Sequence, residues 1–132
     1  EAQLTLMGVK LMQLPEVPWV RFAGLLSERE RLQALEVATV VVVPSPYESL
    51  SLLALEAMAV GTPVVSTNCP TGPAEILEDG RWGKLVPVGD FEALAEAILE
   101  TLRSGRRLDV AHRASHYNVE QAVTKYLAVL DG

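Results

Sequence analysis

Residues 39–66 read TVVVVPSPYESLSLLALEAMAVGTPVVS and decide the fold of this chain. The β-branched run at 40–43 is typical of a strand buried on both faces, and the prolines after it interrupt any ladder of hydrogen bonds. Residues 52–60 are mostly strong helix formers, and Gly61 suits the left-handed position that ends a helix. The pair at 64–65 starts another strand. We therefore predict a strand–turn–helix–strand unit whose first strand is central in the sheet.

The rest of the chain alternates between strand and helix patterns. Strand-like segments lie at residues 2–8, 19–22 and 84–88. Ser27 and Glu30 form the capping box of one helix, and Asp90 is a good N-cap for another. Because the connections are too long for hairpins, the strands are expected to run parallel. We predict an α/β fold, a Rossmann-like parallel sheet with helices on both faces. It forms one partial domain over residues 1–132, with closing helices at about 90–130.

Composition narrows the class of protein. The 132 residues include 17 acidic and 11 basic side chains, and the net charge of −6 argues against a nucleic-acid partner. The single cysteine, Cys69, excludes an internal disulfide and fits a reducing, cytoplasmic compartment. No apolar run approaches the length of a membrane span. Because the chain begins at Glu1 rather than methionine, close to a predicted strand, we expect it to be a fragment of a longer protein.

Two C-terminal helices are predicted from apolar residues at helical spacing, and we expect both to pack on the domain. The first stripe comprises Phe91, Leu94, Ala95, Ile98, Leu99 and Leu102, and the second comprises Val119, Ala122, Val123, Tyr126, Leu127 and Leu130. A basic cluster around them comprises Arg103, Arg106, Arg107 and Arg113. We interpret this cluster as a solvated helix end stabilised by cations, with a membrane-surface contact as an alternative that has no other support.

Two observations bear on a metal site. His112 and His116 lie at four-residue spacing, and Glu120 continues it, which could form a ligand face on a helix. Asn118, however, is expected to cap a new helix between them and so break that face. No Asp-x-Asp occurs, so a metal-bridged diphosphate has no visible ligand set. We therefore predict no metal and no cofactor.

Glu56 is the one charged residue between Glu48 and Glu75, and it falls within a helix that is apolar on every side. Such a helix is normally covered all round by protein, where an unpaired carboxylate is costly. Glu56 therefore needs hydrogen-bond donors. These are either an amide or an arginine inside the fold, or the hydroxyls of a polyol in the crevice at the strand ends, where open α/β sheets bind ligands.

Glu48 lies eight residues before Glu56, on the loop at the same predicted edge. If the helix reached back that far, eight residues would rotate by about 80° and both carboxylates would share one side. Between them, unpaired amides near Leu50 to Leu53 would form an anion site at the helix N-terminus. Two acceptors for sugar hydroxyls flanking a phosphate site describe a nucleotide-sugar pocket.

The run from Pro44 to Val65 resembles the signature of family 4 retaining glycosyltransferases of the GT-B fold. That signature has two glutamates separated by seven residues, followed by Ala-Met-Ala and Gly-Thr-Pro-Val-Val. The resemblance implies that Glu48, the candidate catalytic residue, holds hydroxyls of the donor sugar, and that Glu56 holds the ribose hydroxyls. It also implies that the backbone around Ser49, Leu50, Ser51 and Leu52 meets the diphosphate and sugar.

Two further features belong to this resemblance. The family usually has Phe then Gly where this chain has Leu50 and Ser51, and the Cβ of Ser51 restricts the approach of the backbone. Gly72 and Glu75 match a Gly-x-x-Glu helix that faces the donor phosphates in the family. For Glu75, a first-turn acid that complements the helix dipole is an equal alternative.

The resemblance implies the donor-binding part of an enzyme that transfers a sugar, with retention, from a nucleoside-diphosphate sugar. The acceptor domain and the phosphate-neutralising Arg and Lys would lie before Glu1, so we expect the isolated chain to be inactive. One alternative is a GT-B nucleotide-sugar 2-epimerase with a similar pocket. The other is a non-catalytic receiver-like α/β module, which would need an aspartate where the first central strand ends in Pro44 and Ser45.

Overall fold

The computed structural model describes residues 2–13, 16–105 and 109–130. The strands are β1 (Leu4–Met7), β2 (Val20–Gly24), β3 (Val41–Val43), β4 (Val64–Thr67) and β5 (Lys84–Val86). The helices are α1 (Glu28–Val37), α2 (Leu52–Ala59), α3 (Pro73–Ile76), α4 (Phe91–Ser104), α5 (Val110–Ala114) and α6 (Val119–Leu130). The contacts divide the chain into two compact units, Glu1–Ala34 and Leu35–Gly132. No helix in the described ranges is long and apolar enough to cross a membrane.

The first unit contains a two-stranded parallel sheet and the start of α1. Leu4 of β1 lies opposite Val20 of β2, and the register shifts once after Leu6. The capping box predicted for α1 is confirmed. The amide and hydroxyl of Ser27 both donate to the carboxylate of Glu30, at 2.9 and 2.5 Å. The Ser27 hydroxyl, followed by its amide, holds the pKa of the Glu30 carboxyl below its ordinary value.

The second unit is built on a parallel sheet of order β3-β4-β5. Val41 lies opposite Val64, and Val65 lies opposite Lys84. The parallel pairing confirms the predicted strand–helix–strand unit. The prediction that residues 40–43 form the central strand is wrong, because β4 occupies the middle of this sheet. Both runs are β-branched and buried, and composition alone does not show which one has a neighbour on each side.

Helices cover this sheet as expected for a Rossmann-like α/β fold. Ala97 of α4 packs on Val65 and Val86, with partly buried apolar residues around them. The helix α2 packs against β3 and β4 and buries Ala54, Ala57 and Met58. Leu52 at the start of α2 is 63% exposed, so this helix is not covered all round as its composition predicted. The end of α2 is as predicted, with Gly61 at a φ of +82°.

The two C-terminal helices are less buried than their apolar stripes predicted. On α4 only Ala97 is buried, with Ala93, Leu94 and Ile98 partly so, whereas Phe91, Leu99 and Leu102 are exposed. On α6 every residue is exposed, so the predicted docking of α6 is wrong for the described part of the chain. The caps are as predicted: Asp90 accepts the amide of Ala93 at 2.9 Å, and Asn118 accepts that of Gln121 at 2.8 Å.

Candidate functional site

The loop of residues 44–51, between β3 and α2, carries the first predicted site residue at the carboxyl edge of the sheet. Glu48 is half-buried, Ser49 and Leu50 are exposed, and Ser51 is buried. Because α2 begins only at Leu52, Glu48 lies outside any helix. The helical rotation that would have placed Glu48 and Glu56 on one side therefore does not apply, and the loop conformation sets the direction of Glu48.

Threonine hydroxyls hold this loop from the neighbouring strand and the segment after it. Thr67, the last residue of β4, donates its hydroxyl hydrogen to the carbonyl oxygen of Ser45 at 2.5 Å. The carbonyl oxygen of Val43 lies further from the same hydroxyl, at 3.3 Å. Thr71 donates its hydroxyl hydrogen to the carbonyl oxygen of Glu48. Parallel strands bring their carboxyl ends to one edge, so side chains that follow β4 can reach the loop that follows β3.

Gly72 brings the two predicted motifs together. Its φ is +89°, and a Cβ at this position would lie 3.3 Å from the carbonyl oxygen of Ser49. The same Cβ would lie 3.5 Å from the Cβ of Glu48 and from the Cα of Leu50. Gly72 is also the N-cap residue of α3, which begins with Pro73. The close approach of backbone to backbone therefore joins the Glu48 loop to the start of α3.

The N-terminus of α2 differs in detail from the predicted anion site. The amide of Leu52 donates to the carbonyl oxygen of Leu50 at 2.9 Å, so it is not available to a ligand in this conformation. Ser51 occupies the N-cap position but makes no side-chain cap, and its buried hydroxyl has no hydrogen-bond partner among the described residues. Glu56, the fifth residue of α2, is half-buried one turn further along the helix.

Glu75 lies in the first turn of α3 with its side chain exposed, while its backbone is tied to α5. Arg113 donates to the carbonyl oxygens of Glu75 at 2.7 Å and Ile76 at 3.0 Å, and pairs with the carboxylate of Glu78 at 3.2 Å. Its side chain is only 15% exposed. The interpretation of Arg113 as a solvated cation is therefore wrong.

Tyr117 completes this contact beside Glu75. Its hydroxyl lies 3.0 Å from the guanidinium of Arg113, and the cation lies over its ring at 5.1 Å. Burial raises the pKa of the Tyr117 hydroxyl, against a smaller opposing effect of Arg113. Of the other cluster members, Arg103 is exposed, and Arg106 and Arg107 lie outside the described residues.

An open crevice of about 720 Å³ lies at the carboxyl ends of all three strands. Its lining comprises Pro46, Asn68, Pro70, Leu85, Val86, Pro87 and Val88. The position agrees with the rule that open α/β sheets bind ligands at this edge. The crevice shares Pro46 with the Glu48 loop but does not include Glu48 itself, so it is a neighbour of the predicted residues.

Sequence reasoning missed three polar residues at this edge, namely Thr67, Asn68 and Thr71. The signal was present, because polar residues that directly follow a buried strand lie at the ligand-binding edge of a parallel sheet. The structure thus brings together Glu48, Ser49, Leu50 and Gly72. It adds Thr71 to that group, with Glu56 and Glu75 on the two helices that leave it.

Comparison with known proteins identifies a family and a relative that match most of this chain. A family model described as glycosyl transferases group 1 matches residues 1–104. A phosphatidyl-myo-inositol mannosyltransferase of Mycobacterium leprae is 38% identical over 89 residues, 67% of this chain and 24% of that protein. The matched region is thus about a quarter of that relative's length.

Two solved structures share the fold. A variant of TarM from S. aureus, solved in complex with ligands that include UDP, has a TM-score of 0.67 at 26% identity. The match covers 86% of this chain and 24% of that one. A sucrose-phosphate synthase from Thermosynechococcus elongatus has a TM-score of 0.67 at 30% identity, covering 85% of this chain and 29% of that one.

Proposed function

This chain belongs to the glycosyl transferases group 1, and we propose that it forms the donor-binding surface for sugar transfer from a nucleoside-diphosphate sugar. The observation that carries this proposal is the close approach of Gly72 to the backbone at Ser49, which would leave a Cβ added at position 72 only 3.3 Å from the Ser49 carbonyl oxygen. It unites two stretches, 23 residues apart, at the edge of the sheet where such folds bind ligands. The TarM variant solved with UDP, a nucleoside diphosphate, supports this choice of ligand class.

Different side chains bind different parts of such a donor. The carboxylate of Glu48 accepts hydrogen bonds from hydroxyls of the sugar, and that of Glu56 from hydroxyls of the ribose. Carboxylates are strong acceptors for hydroxyl donors. Between them, the first turn of α2 offers the positive end of the helix dipole and, apart from the Leu52 amide that donates to Leu50, amides without an intrahelical partner. That turn therefore attracts the diphosphate.

The same arrangement favours departure of the nucleoside diphosphate. As the bond from the sugar to the diphosphate breaks, negative charge grows on the leaving phosphate oxygen. Helix amides aimed at that oxygen stabilise the charge in the transition state. In transfer with retention, the acceptor oxygen bonds to the sugar on the face that the diphosphate leaves, and the acceptor hydroxyl gives its proton to the departing phosphate oxygen. The acceptor must therefore be held on that face.

A binding experiment tests this function directly. The ¹⁵N-labelled chain is titrated with UDP, UDP-glucose, UDP-N-acetylglucosamine, GDP and GDP-mannose, and the backbone amide shifts are followed by NMR. We expect at least one sugar nucleotide to shift the amides of Leu50, Leu53 and Gly72. Binding by none of the five compounds, or shifts confined to α6, would overturn the proposal.

A pair of variants identifies the residue that contacts the sugar. We expect Glu48→Gln to weaken binding of the sugar nucleotide about tenfold or more, the value of a charge-assisted hydrogen bond, while leaving the matching nucleoside diphosphate unaffected. Glu96→Gln, on the exposed side of α4, is the matched control and should change neither affinity. Equal loss for both ligands in Glu48→Gln would contradict the assignment to the sugar.

A further inference from the structure

The loop that carries Glu48 has few backbone anchors of its own. Pro44 and Pro46 lack amide hydrogens, so neither can donate to a neighbouring strand. The carbonyl oxygens of Ser45 and Glu48 instead accept hydrogen bonds from the hydroxyls of Thr67 and Thr71. Side-chain hydroxyls thus take the place of a backbone ladder in this loop.

The two threonines differ in burial, and the difference separates their roles. Thr67 is buried at the end of β4, where it is part of the sheet's own packing. Thr71 is exposed and contributes little to the core, yet it bonds to the backbone of the predicted sugar-contacting residue itself. Gly72, its neighbour in sequence, lies so close to the next carbonyl along the loop, that of Ser49, that an added Cβ would be 3.3 Å from its oxygen. The segment at 71–72 therefore lies against two successive peptides of the loop, the one that joins Glu48 to Ser49 and the one that joins Ser49 to Leu50.

We propose that Thr71 is a positioning residue, whose hydroxyl fixes the backbone of Glu48 so that the carboxylate meets the donor sugar. This inference rests on the proposed function. A carboxylate on a loose loop must be ordered when the ligand binds, and that ordering lowers the affinity. A hydroxyl that holds the loop beforehand removes part of this loss. Thr71 acts only through Glu48 and makes no contact of its own with the reacting atoms.

Three variants of the full 132-residue chain test the role of Thr71. Thr71→Val removes the hydroxyl and keeps the branched shape, and Thr71→Ser keeps the hydroxyl. Thr124→Val removes a hydroxyl from the exposed helix α6, where its one bond within the described part of the chain is to the carbonyl oxygen of Glu120, at 2.9 Å. Affinities for UDP-glucose, UDP-N-acetylglucosamine, GDP-mannose and the two nucleoside diphosphates are measured by NMR titration. Amide hydrogen exchange over residues 45–51 is measured without ligand.

We expect Thr71→Val to weaken sugar-nucleotide binding about five- to tenfold, the equivalent of one hydrogen bond, and to leave nucleoside-diphosphate binding unchanged. Amide exchange over 45–51 should accelerate in the same variant. Thr71→Ser should restore both, and Thr124→Val should alter neither. A merely structural role for Thr71 would instead weaken both ligand classes equally or lower only the melting temperature.

The possible failures are distinguishable. If the wild-type chain binds the nucleotides and Thr71→Val binds them with unchanged affinity, the positioning role is overturned while the proposed function stands. If the wild-type chain binds none of the compounds, the proposed function fails, and the positioning role fails with it. In that case unchanged amide exchange in Thr71→Val would further show that the hydroxyl does not hold the loop.

Discussion

The guanidinium of Arg113 donates a hydrogen bond of 2.7 Å to the carbonyl oxygen of Glu75, 38 residues earlier in the chain. The same side chain binds the carbonyl of Ile76 and the carboxylate of Glu78. These carbonyls belong to the short helix α3. The Glu75 carbonyl also accepts the amide of Glu78, at 3.3 Å, so Arg113 adds a charged donor at the end of this helix. A residue on α5 thus fixes the orientation of a helix that starts at the candidate site.

Replacing Arg113 tests this connection. In Arg113→Met the aliphatic part of the side chain is retained, and the polar contacts with Glu75, Ile76, Glu78 and Tyr117 are lost. We expect the free energy of unfolding to fall by about 1.5–3 kcal/mol, the range for hydrogen bonds to a charged group. Arg103→Met, at the exposed end of α4, should stay within about 0.5 kcal/mol of wild type. Urea unfolding measures both, and equal effects in the two variants would contradict the role given to Arg113.

A pair of alanine variants separates two costs of adding a Cβ at Gly72, namely the steric contact with the Glu48 loop and the strain of a positive φ. Gly72 and Gly89 have φ values of +89° and +82°, but only Gly72 has neighbours within 4 Å of an added Cβ. Gly89→Ala should therefore cost about 1–2 kcal/mol from strain alone. Gly72→Ala should cost more and should also shift the amides of Ser49 and Leu50. Equal stability of the two variants, measured by urea unfolding, would show that the Glu48 loop moves to accommodate the added Cβ without a loss of stability.

Glu56→Gln distinguishes a ligand-binding carboxylate from a structural one. The substitution keeps the shape and one acceptor and removes the charge. If Glu56 binds ribose hydroxyls, the affinity for nucleoside diphosphates should fall by about 1.5–3 kcal/mol with nearly unchanged stability. If it belongs to a structural ion pair, the stability should fall instead, because the partner is left unpaired. Titration and thermal unfolding decide between them, with Glu96→Gln as the control.

The carboxylate of Glu78 predicts a pH dependence of stability. The indole of Trp82 donates to it at 2.9 Å and is the main reason that its pKa lies below the ordinary value of 4.5. A lowered pKa gives stability that is fully present above the unfolded value and is lost as the pH falls through the folded one. Trp82→Phe should therefore be less stable than wild type at neutral pH, by a margin that shrinks below about pH 4.5.

Urea unfolding over this range measures the margin. In a Glu78→Gln background the carboxylate is absent, so Trp82→Phe should have an effect that does not depend on pH. A margin that stays constant in the wild-type background, or grows on acidification, would contradict the assigned cause of the pKa shift.

The sequence by itself determined the local structure. The capping box at Ser27, the cap at Asp90, the extent of α2 and the turn at Gly61 are all as predicted. Each of these depends on residues within about one helical turn of one another, so short patterns contain the necessary information. The strand–helix–strand unit and its parallel pairing follow for the same reason, because the length of a connection limits how two strands can pair.

Only the tertiary structure decided which segments meet. The order of the three parallel strands places β4 in the middle, and the fold brings Thr71 and Gly72 against the Glu48 loop. The folding of α5 onto α3 turns Arg113 from a surface cation into a largely buried donor. An apolar stripe shows that a helix can be covered but not what covers it. For this reason the sequence did not predict that α6 is exposed. Contacts between residues 23 to 42 positions apart depend on the whole packing of the sheet, and no local pattern encodes them.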